Sequence, residues 1–193
     1  METPEHTEPI TRKQLQEYGE LWPTIYINFV KDFIKPGSEN SLSYSLFGLI
    51  EECLEFMPLI DEHESSLDLL LEAGDILYYA VLTSINIKKN DKCADIWPNF
   101  LSVDDSSKKM KEKFFNEYAK NQLMLYIEQL AKLGTKICVL NNNYEAYKAC
   151  VHLIIYNILK IVTQKTRHPL LFIAEKNMEK IINRTTLSVC NYS

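Results

Sequence analysis

The sequence predicts an all-α protein, and two of its properties support that class. Only five of the 193 residues are glycines, which is too few for the many tight turns of a β-rich fold. The apolar residues recur mostly at intervals of three and four, the spacing that gives a helix one apolar face. With 46% hydrophobic and 24% charged residues, the composition is near the globular average, so we expect a bundle of amphipathic helices around a buried core.

The composition divides the chain into a short tail and one helical domain. Residues 1–11 are polar, contain two prolines and lack periodicity, so we predict a flexible tail there and not a targeting signal. Residues 12–193 form the predicted single helical domain.

Three helices are predicted in the first half of the chain. They cover residues 12–34, 41–57 and 66–89. Pro23 is a predicted kink or break, and the turn Lys35-Pro36-Gly37 ends the first helix. Pro58 ends the second helix, and Ser65 or Ser66 caps the third. Because the connection between the second and third helices is short, we expect them to lie antiparallel.

Three more helices are predicted after a mixed segment around Trp97 and Pro98. They cover residues 107–139, 144–164 and 169–184. Gly134 is a candidate break in the first of them, and Asn141-Asn142-Asn143 forms a turn after it. Pro169 suits the first turn of the last helix.

The charge and the cysteines restrict the classes of partner. A net charge of -5 argues against a general surface for nucleic acids or membranes, and no apolar run reaches membrane-spanning length. Five cysteines, an odd number with no CxxC pair, indicate free thiols in a reducing compartment. We therefore predict a cytoplasmic protein that binds neither nucleic acid nor membrane.

Two acidic pairs interrupt the apolar helices. Glu52 and Glu55 stand in GLIEECLEF, and Glu72 and Asp75 stand in LLLEAGDILYYAVL. Residues three apart lie about 60° apart around a helix, so each pair shares a face. Carboxylates among apolar side chains are costly to desolvate as bare anions, and no lysine or arginine occurs from residue 48 until Lys88. Mg²⁺ or Mn²⁺ is the natural partner, because these ions prefer oxygen ligands.

A solvated acidic face is the alternative interpretation of each pair. Glu-x-x-Glu spacing is common on exposed helices, so one pair alone has little specificity. Two pairs on adjacent helices, each flanked by apolar residues, make the metal site as well supported as the solvated face.

The two acidic stripes continue along the same helices. Ser45 and Gly48 extend the first stripe with small side chains that allow a close approach. Tyr79 and Asn86 extend the second stripe and are candidate contacts for a substrate. The alternative for Tyr79 is a core tyrosine with its hydroxyl at the rim.

At these residues the sequence resembles a known family. Glu52-Cys-Leu-Glu55 and Glu72-Ala-Gly-Asp75, with residues 56–71 between them, are similar to the ExxE and ExxD motifs of the MazG-like, all-α nucleoside triphosphate pyrophosphohydrolases. Near the C-terminus, Asn177-Met-Glu-Lys180-Ile-Ile-Asn-Arg184 is similar to the Asn-x-x-Lys-Leu-x-x-Arg helix of many phage-type members. Three matches occur in the same order as in the family, although most of the chain lies outside them.

The resemblance implies a MazG-like antiparallel helical bundle that cleaves a (d)NTP between the α and β phosphates, giving a (d)NMP and pyrophosphate. It implies Glu52, Glu55, Glu72 and Asp75 as ligands of Mg²⁺, with Mn²⁺ as an alternative ion. Glu51 or Glu52 is the candidate for orienting the attacking water.

Asn177, Lys180 and Arg184 share one face of the last helix, because they are spaced by three and four residues. We expect this group to bind triphosphate or pyrophosphate oxygens. The alternative is a solvated helix end, where basic residues are favoured by the helix dipole.

The long interval between the matching blocks departs from compact family members. Shifting the chain by 76 residues aligns Glu52 with Glu128 but places Ala131, Lys148 and Val151 opposite the other three acids. If this repeat is real, residues 107–184 are a degenerate copy of an active half at 12–95. The copy would then complete within a monomer the bundle that shorter relatives build by dimerising. If it is not, residues 107–164 are added helices and a homodimer is expected.

Two other functions remain open at this point. One is a catalytically inactive MazG-like protein that binds a partner through its acidic face, and the other is a phosphoribosyl-ATP pyrophosphohydrolase with the same metal site. A di-iron carboxylate bundle is disfavoured, because none of the four histidines stands three residues after a glutamate. No Walker loop or GxGxxG motif occurs either.

Overall fold

The described part of the chain is helical and contains no strand, which confirms the predicted all-α class. The computed structural model describes residues 24–34, 41–61, 66–88, 112–140, 144–166 and 170–190. Its helices are α1 (24–33), α2 (Leu42–Leu59), α3 (Ser66–Lys88), α4 (Glu112–Leu140), α5 (Tyr144–Thr166) and α6 (Leu170–Cys190).

Helix α3 is the centre of the fold. It packs against α2, α5 and α6, while α4 packs against α2 and α5. Helices α2 to α5 therefore form a four-helix arrangement, with α6 added beside α3. The largest fully buried side chains include those of Leu46, Leu49 and Phe56 of α2, Ile76 and Leu77 of α3, Leu123 of α4 and Tyr147 of α5.

The ends of α2 show how local sequence sets a helix. The hydroxyl oxygen of Ser41 accepts a hydrogen bond from the Tyr44 amide at 3.3 Å and caps the first turn. The prediction that Pro58 ends the helix is wrong by two residues, since α2 continues to Leu59. Proline fits helical φ and lacks only a donor, so one proline is tolerated in the last turn.

Helix α4 runs through Gly134 to Leu140 without interruption, so the predicted break at Gly134 is wrong. The glycine instead allows α4 to lie close to α2, because a β-carbon at this position would stand 2.9 Å from Leu46 Cδ2. Gly134 therefore serves helix packing and not chain reversal.

Several other predictions lie outside the described residues. These are the tail at 1–11, the start of the first helix with Pro23, the turn at 35–37, the segment at 90–106, the asparagine turn at 141–143 and Pro169. Where the last two helices are described, they end later than predicted, at Thr166 and Cys190.

Among the described helices, α5 alone fits a membrane span by length and composition. Residues Glu145–Thr166 are long and apolar enough to cross a membrane, although the sequence showed no uninterrupted apolar run of that length. Half of the most apolar window is buried inside the fold, and the Tyr147 hydroxyl donates a hydrogen bond to the Ala80 carbonyl of α3 at 2.8 Å. A core helix of a bundle has the same composition, so this observation is weak support for a membrane span.

The C-terminal end of α2 is fastened to the first turns of α4. Asn116 is buried, and its side-chain nitrogen donates a hydrogen bond to the Ile60 carbonyl at 3.1 Å. One turn later, Lys120 forms an ion pair with Asp61, whose side chain is 63% exposed. The buried hydrogen bond should contribute more to the free energy of unfolding than the ion pair does, because water screens the exposed ion pair.

Replacing Asn116 and Lys120 separately tests which of the two contacts contributes more to stability. We expect Asn116→Ala to lower the free energy of unfolding by about 1–2 kcal/mol, since it leaves a buried carbonyl unpaired. We expect Lys120→Ala to lower it by less than about 1 kcal/mol. Urea unfolding followed by circular dichroism measures both. A loss for Lys120→Ala equal to or larger than that for Asn116→Ala would contradict this account.

Candidate metal centre

The antiparallel contact between α2 and α3 brings the two predicted stripes together. Near the start of α2, Asn86 Nδ2 donates to Ser45 Oγ at 3.0 Å. One turn further along α2, the ring of Tyr79 lies directly over Gly48, where a β-carbon would stand 2.3 Å from Tyr79 Cε1. Small residues on one helix therefore receive larger ones from the other, and the acidic pairs come next along the same seam.

Three carboxylates from the two helices converge in this seam. Glu52, Glu55 and Glu72 each offer an oxygen within 4.8 Å of the other two. The side chains of Glu52 and Glu72 share a hydrogen bond. Among the described residues, Glu72 Oε2 has no hydrogen-bond partner although it is buried. The cluster therefore contains a buried carboxylate oxygen to which no described residue donates a hydrogen bond.

Protonation relieves part of the repulsion in the metal-free protein. Burial, followed by the charges of Asp75, Glu72 and Glu55, raises the pKa of Glu52 to about 8. Burial also raises the pKa of Glu72, while the positive charge of Lys180 opposes that rise. At neutral pH, Glu52 accordingly holds a proton and donates it to Glu72.

Asp75, the fourth predicted ligand, lies beside this group and is held by α6. Asn177 Nδ2 donates to Asp75 Oδ1 at 2.8 Å, and Lys180 forms an ion pair with Asp75 Oδ2. The side chains of Lys180 and Asp75 are only 13% and 16% exposed. Close packing makes these contacts possible, because a β-carbon on Gly74 would stand 2.7 Å from the β-carbon of Asn177.

The remaining predicted site residues are not members of the three-carboxylate cluster. Glu51 and Arg184 are both exposed, on α2 and near the end of α6. Tyr79 is half-buried, with its hydroxyl 3.5 Å from that of Tyr44, and Asn86 is bonded to residues at the start of α2. The described contacts of Tyr79 and Asn86 thus join α2 to α3.

Sequence reasoning missed Tyr26, which lies on α1. Its hydroxyl donates to Asn177 Oδ1 at 2.7 Å, and the residue is 1% exposed. It stands in the apolar run TIYINFV, where a tyrosine is indistinguishable by spacing from an ordinary core residue. Only the packing of α1 against α6 reveals its contact with the site.

The donor set fits a hard divalent cation. All three side chains of the cluster provide carboxylate oxygens, the ligands that Mg²⁺ and Mn²⁺ prefer. A bound cation would give the buried, unpaired oxygen of Glu72 a positively charged partner. It would also displace the proton that the raised pKa keeps on Glu52.

Comparisons with known proteins identify no relative of the chain. No family model, no curated protein and no solved structure matches it. The resemblance to the MazG-like enzymes therefore stays a prediction.

The raised pKa of Glu52 predicts how stability depends on pH in metal-free protein. The ordinary value of this pKa is 4.5 and the folded value is about 8, so the folded state binds the extra proton between these limits. The resulting stabilisation is complete below about pH 4.5 and is lost as the pH rises through about 8. Unfolding in urea with EDTA, measured from pH 5 to 8.5, should show a smaller pH-dependent loss for Glu52→Gln than for wild type.

Glu51→Gln is the matched control, since it removes the same charge from an exposed neighbour. Its free energy of unfolding should follow the wild-type pH dependence. Parallel curves for wild type and Glu52→Gln would show that Glu52 is not the group that takes up the proton.

Proposed function

We propose that this protein is a metal-dependent nucleotide pyrophosphohydrolase that converts a (d)NTP to a (d)NMP and pyrophosphate. One observation carries the proposal: Glu52, Glu55 and Glu72 come from two antiparallel helices and place oxygens within 4.8 Å of one another. The spacing of these acids and of Asp75 resembles that of the MazG-like enzymes, which supplies the reaction.

In this proposal Glu52, Glu55 and Glu72 hold Mg²⁺ or Mn²⁺, and Asp75 completes the acidic site from its edge. The bound ion supplies neutralisation of phosphate charge and a coordinated water of lowered pKa. The carboxylates would hold the ion, and the exposed side chain of Glu55 would place it within reach of solvent.

Glu52 is the better candidate for orienting the attacking water. Its side chain belongs to the three-carboxylate cluster that would hold the ion. Glu51 is exposed on α2 and outside that group of three.

Helix α6 provides the cationic side of the proposed site. Lys180 already lies against Asp75, and Arg184 follows one turn later with its side chain exposed. An incoming triphosphate would offer Lys180 a more highly charged partner than one carboxylate. We assign both residues to phosphate binding, with Asn177 holding Asp75.

The arrangement of α4 and α5, which form the second hairpin of the chain after α2 and α3, supports an internal repeat in a MazG-like bundle. A shift of 76 residues places α2 at positions 118–135, within α4, and places α3 at 142–164, which α5 covers except for two residues at its start. Glu128 is exposed and pairs with Lys132, while Val151 is buried in the core. The second hairpin then acts as scaffold, a monomer suffices, and the cytoplasm is the expected location.

A non-catalytic interaction protein is the second candidate, and one observation favours it. Lys180 forms an ion pair with Asp75 and Asn177 donates a hydrogen bond to it, so residues of the chain itself satisfy this carboxylate without a cation. Such a protein would present the acidic seam to a basic partner.

Activity measurements distinguish the two candidates. Purified protein incubated with each common NTP and dNTP and with Mg²⁺ or Mn²⁺ should release pyrophosphate. We expect Glu55→Gln and Asp75→Asn to lower turnover at least about 100-fold with unchanged helix content, because each removes a charge from the metal site. Glu128→Gln, the same change at the aligned position of the second hairpin, should retain wild-type turnover.

Metal binding should also stabilise the fold. At a Mn²⁺ concentration of 100 times the dissociation constant, we expect about 2.7 kcal/mol of added stability, seen as a higher melting temperature. The rise should be larger at pH 8 than at pH 6, since Glu52 must lose its proton to bind an ion. No pyrophosphate and no metal-dependent rise in melting temperature would leave the interaction protein as the better account.

A further inference from the structure

Three helices meet at the side chain of Asn177. This residue of α6 is fully buried, and both ends of its amide are engaged. The oxygen accepts a hydrogen bond from the Tyr26 hydroxyl of α1 at 2.7 Å, and the nitrogen donates to Asp75 Oδ1 of α3 at 2.8 Å. A continuous chain of hydrogen bonds thus runs from α1 through α6 to the acidic site.

The direction of this chain follows from the chemistry of its first member. Burial, with smaller contributions from Asp75 and Tyr78, raises the pKa of Tyr26 well above its ordinary value, so the hydroxyl remains a donor. A hydroxyl that donates to the amide oxygen forces the amide nitrogen to the opposite side, toward Asp75. With the amide reversed, two oxygens would face each other at Asp75, and the hydroxyl would lose its acceptor at 2.7 Å and keep only the Gly74 carbonyl at 3.5 Å.

We propose that Tyr26 is a positioning residue of the metal centre: its hydroxyl orients the amide of Asn177, which in turn holds Asp75 at the edge of the three-carboxylate cluster. This role rests on the proposed metal site. Partners of metal-binding carboxylates commonly act in this way, by fixing the orientation of a ligand they do not replace.

The packing around the chain leaves little freedom for an alternative arrangement. Gly74 brings the backbone of α3 against Asn177, and the Tyr26 hydroxyl also lies 3.5 Å from the Gly74 carbonyl. Tyr26 itself is 1% exposed, so bulk water does not reach the hydroxyl to take its place. The position of the amide is therefore fixed by the tyrosine hydroxyl at its oxygen and by Asp75 at its nitrogen.

The test removes that oxygen alone. Tyr26→Phe should weaken Mn²⁺ binding about tenfold by calorimetry, the effect typical of lost support for a metal ligand. The side-chain amide protons of Asn177, observed by NMR in metal-free protein, should exchange with solvent about tenfold faster, because opening of the buried amide becomes easier.

Tyr147→Phe is the matched control. Tyr147 is also buried, and its hydroxyl also donates to a backbone carbonyl of α3, but at Ala80 and away from Asp75. Any general cost of losing a buried hydroxyl appears in both variants. Only Tyr26→Phe should change Mn²⁺ affinity and Asn177 exchange, whereas Tyr147→Phe should leave both within about twofold of wild type.

A second variant tests whether Tyr26 acts through Asn177, and it carries the test if Tyr26→Phe does not fold. Asn177→Ala should weaken Mn²⁺ binding at least as much as Tyr26→Phe, and the double variant should differ from Asn177→Ala by less than about twofold. Wild-type Mn²⁺ affinity in either Tyr26→Phe or Asn177→Ala would overturn the positioning role while leaving the proposed function intact. A wild-type protein that binds no Mn²⁺ would overturn both.

Discussion

Repulsion between carboxylates on facing helices is the constraint on which this structure depends. At separations of 4.8 Å or less, each pair of bare negative charges near a protein surface opposes folding by on the order of 3 kcal/mol. The metal-free fold relieves the repulsion in two ways: Glu52 keeps a proton that it shares with Glu72, and Lys180 neutralises Asp75. A bound cation would compete with both arrangements, because it would replace the proton on Glu52 and attract Asp75 away from Lys180.

The close approach that creates this repulsion is made by small residues. Gly48 receives the ring of Tyr79 one turn before Glu52, and Gly74 lies against Asn177 immediately before Asp75. Each glycine inside a helix costs about 1 kcal/mol of helix propensity relative to alanine. The close packing that the glycines allow offsets this cost. It places α2 and α6 within reach of the acids on α3. The glycines and the acids therefore form one structural unit.

Local patterns account for the parts of the fold that sequence alone predicted. The periodicity of apolar residues gave the helices, and three-residue spacing placed Glu52 with Glu55 and Glu72 with Asp75, because both depend only on helix geometry. The short connection between α2 and α3 predicted their antiparallel contact, but the other contacts between helices were beyond such patterns. An interior glycine such as Gly134 suits a break as well as a close contact, and the side chain that decides between them, Leu46, comes from another helix. Tyr26 likewise gains its contact with the site only when α1 meets α6.

The ion pair between Lys180 of α6 and Asp75 of α3 joins a residue expected to bind phosphate to a residue expected to bind metal. Lys180 was expected to bind phosphate, yet in the metal-free protein it lies on the carboxylate that was expected to bind metal. A largely buried pair of this kind is stable only while each charge keeps its partner. In the proposed enzyme a divalent cation would compete with Lys180 for Asp75, and the displaced ammonium would need another anion within reach. A triphosphate bound to the same cation would supply that anion. Metal binding and substrate binding would therefore each lower the free-energy cost of the other.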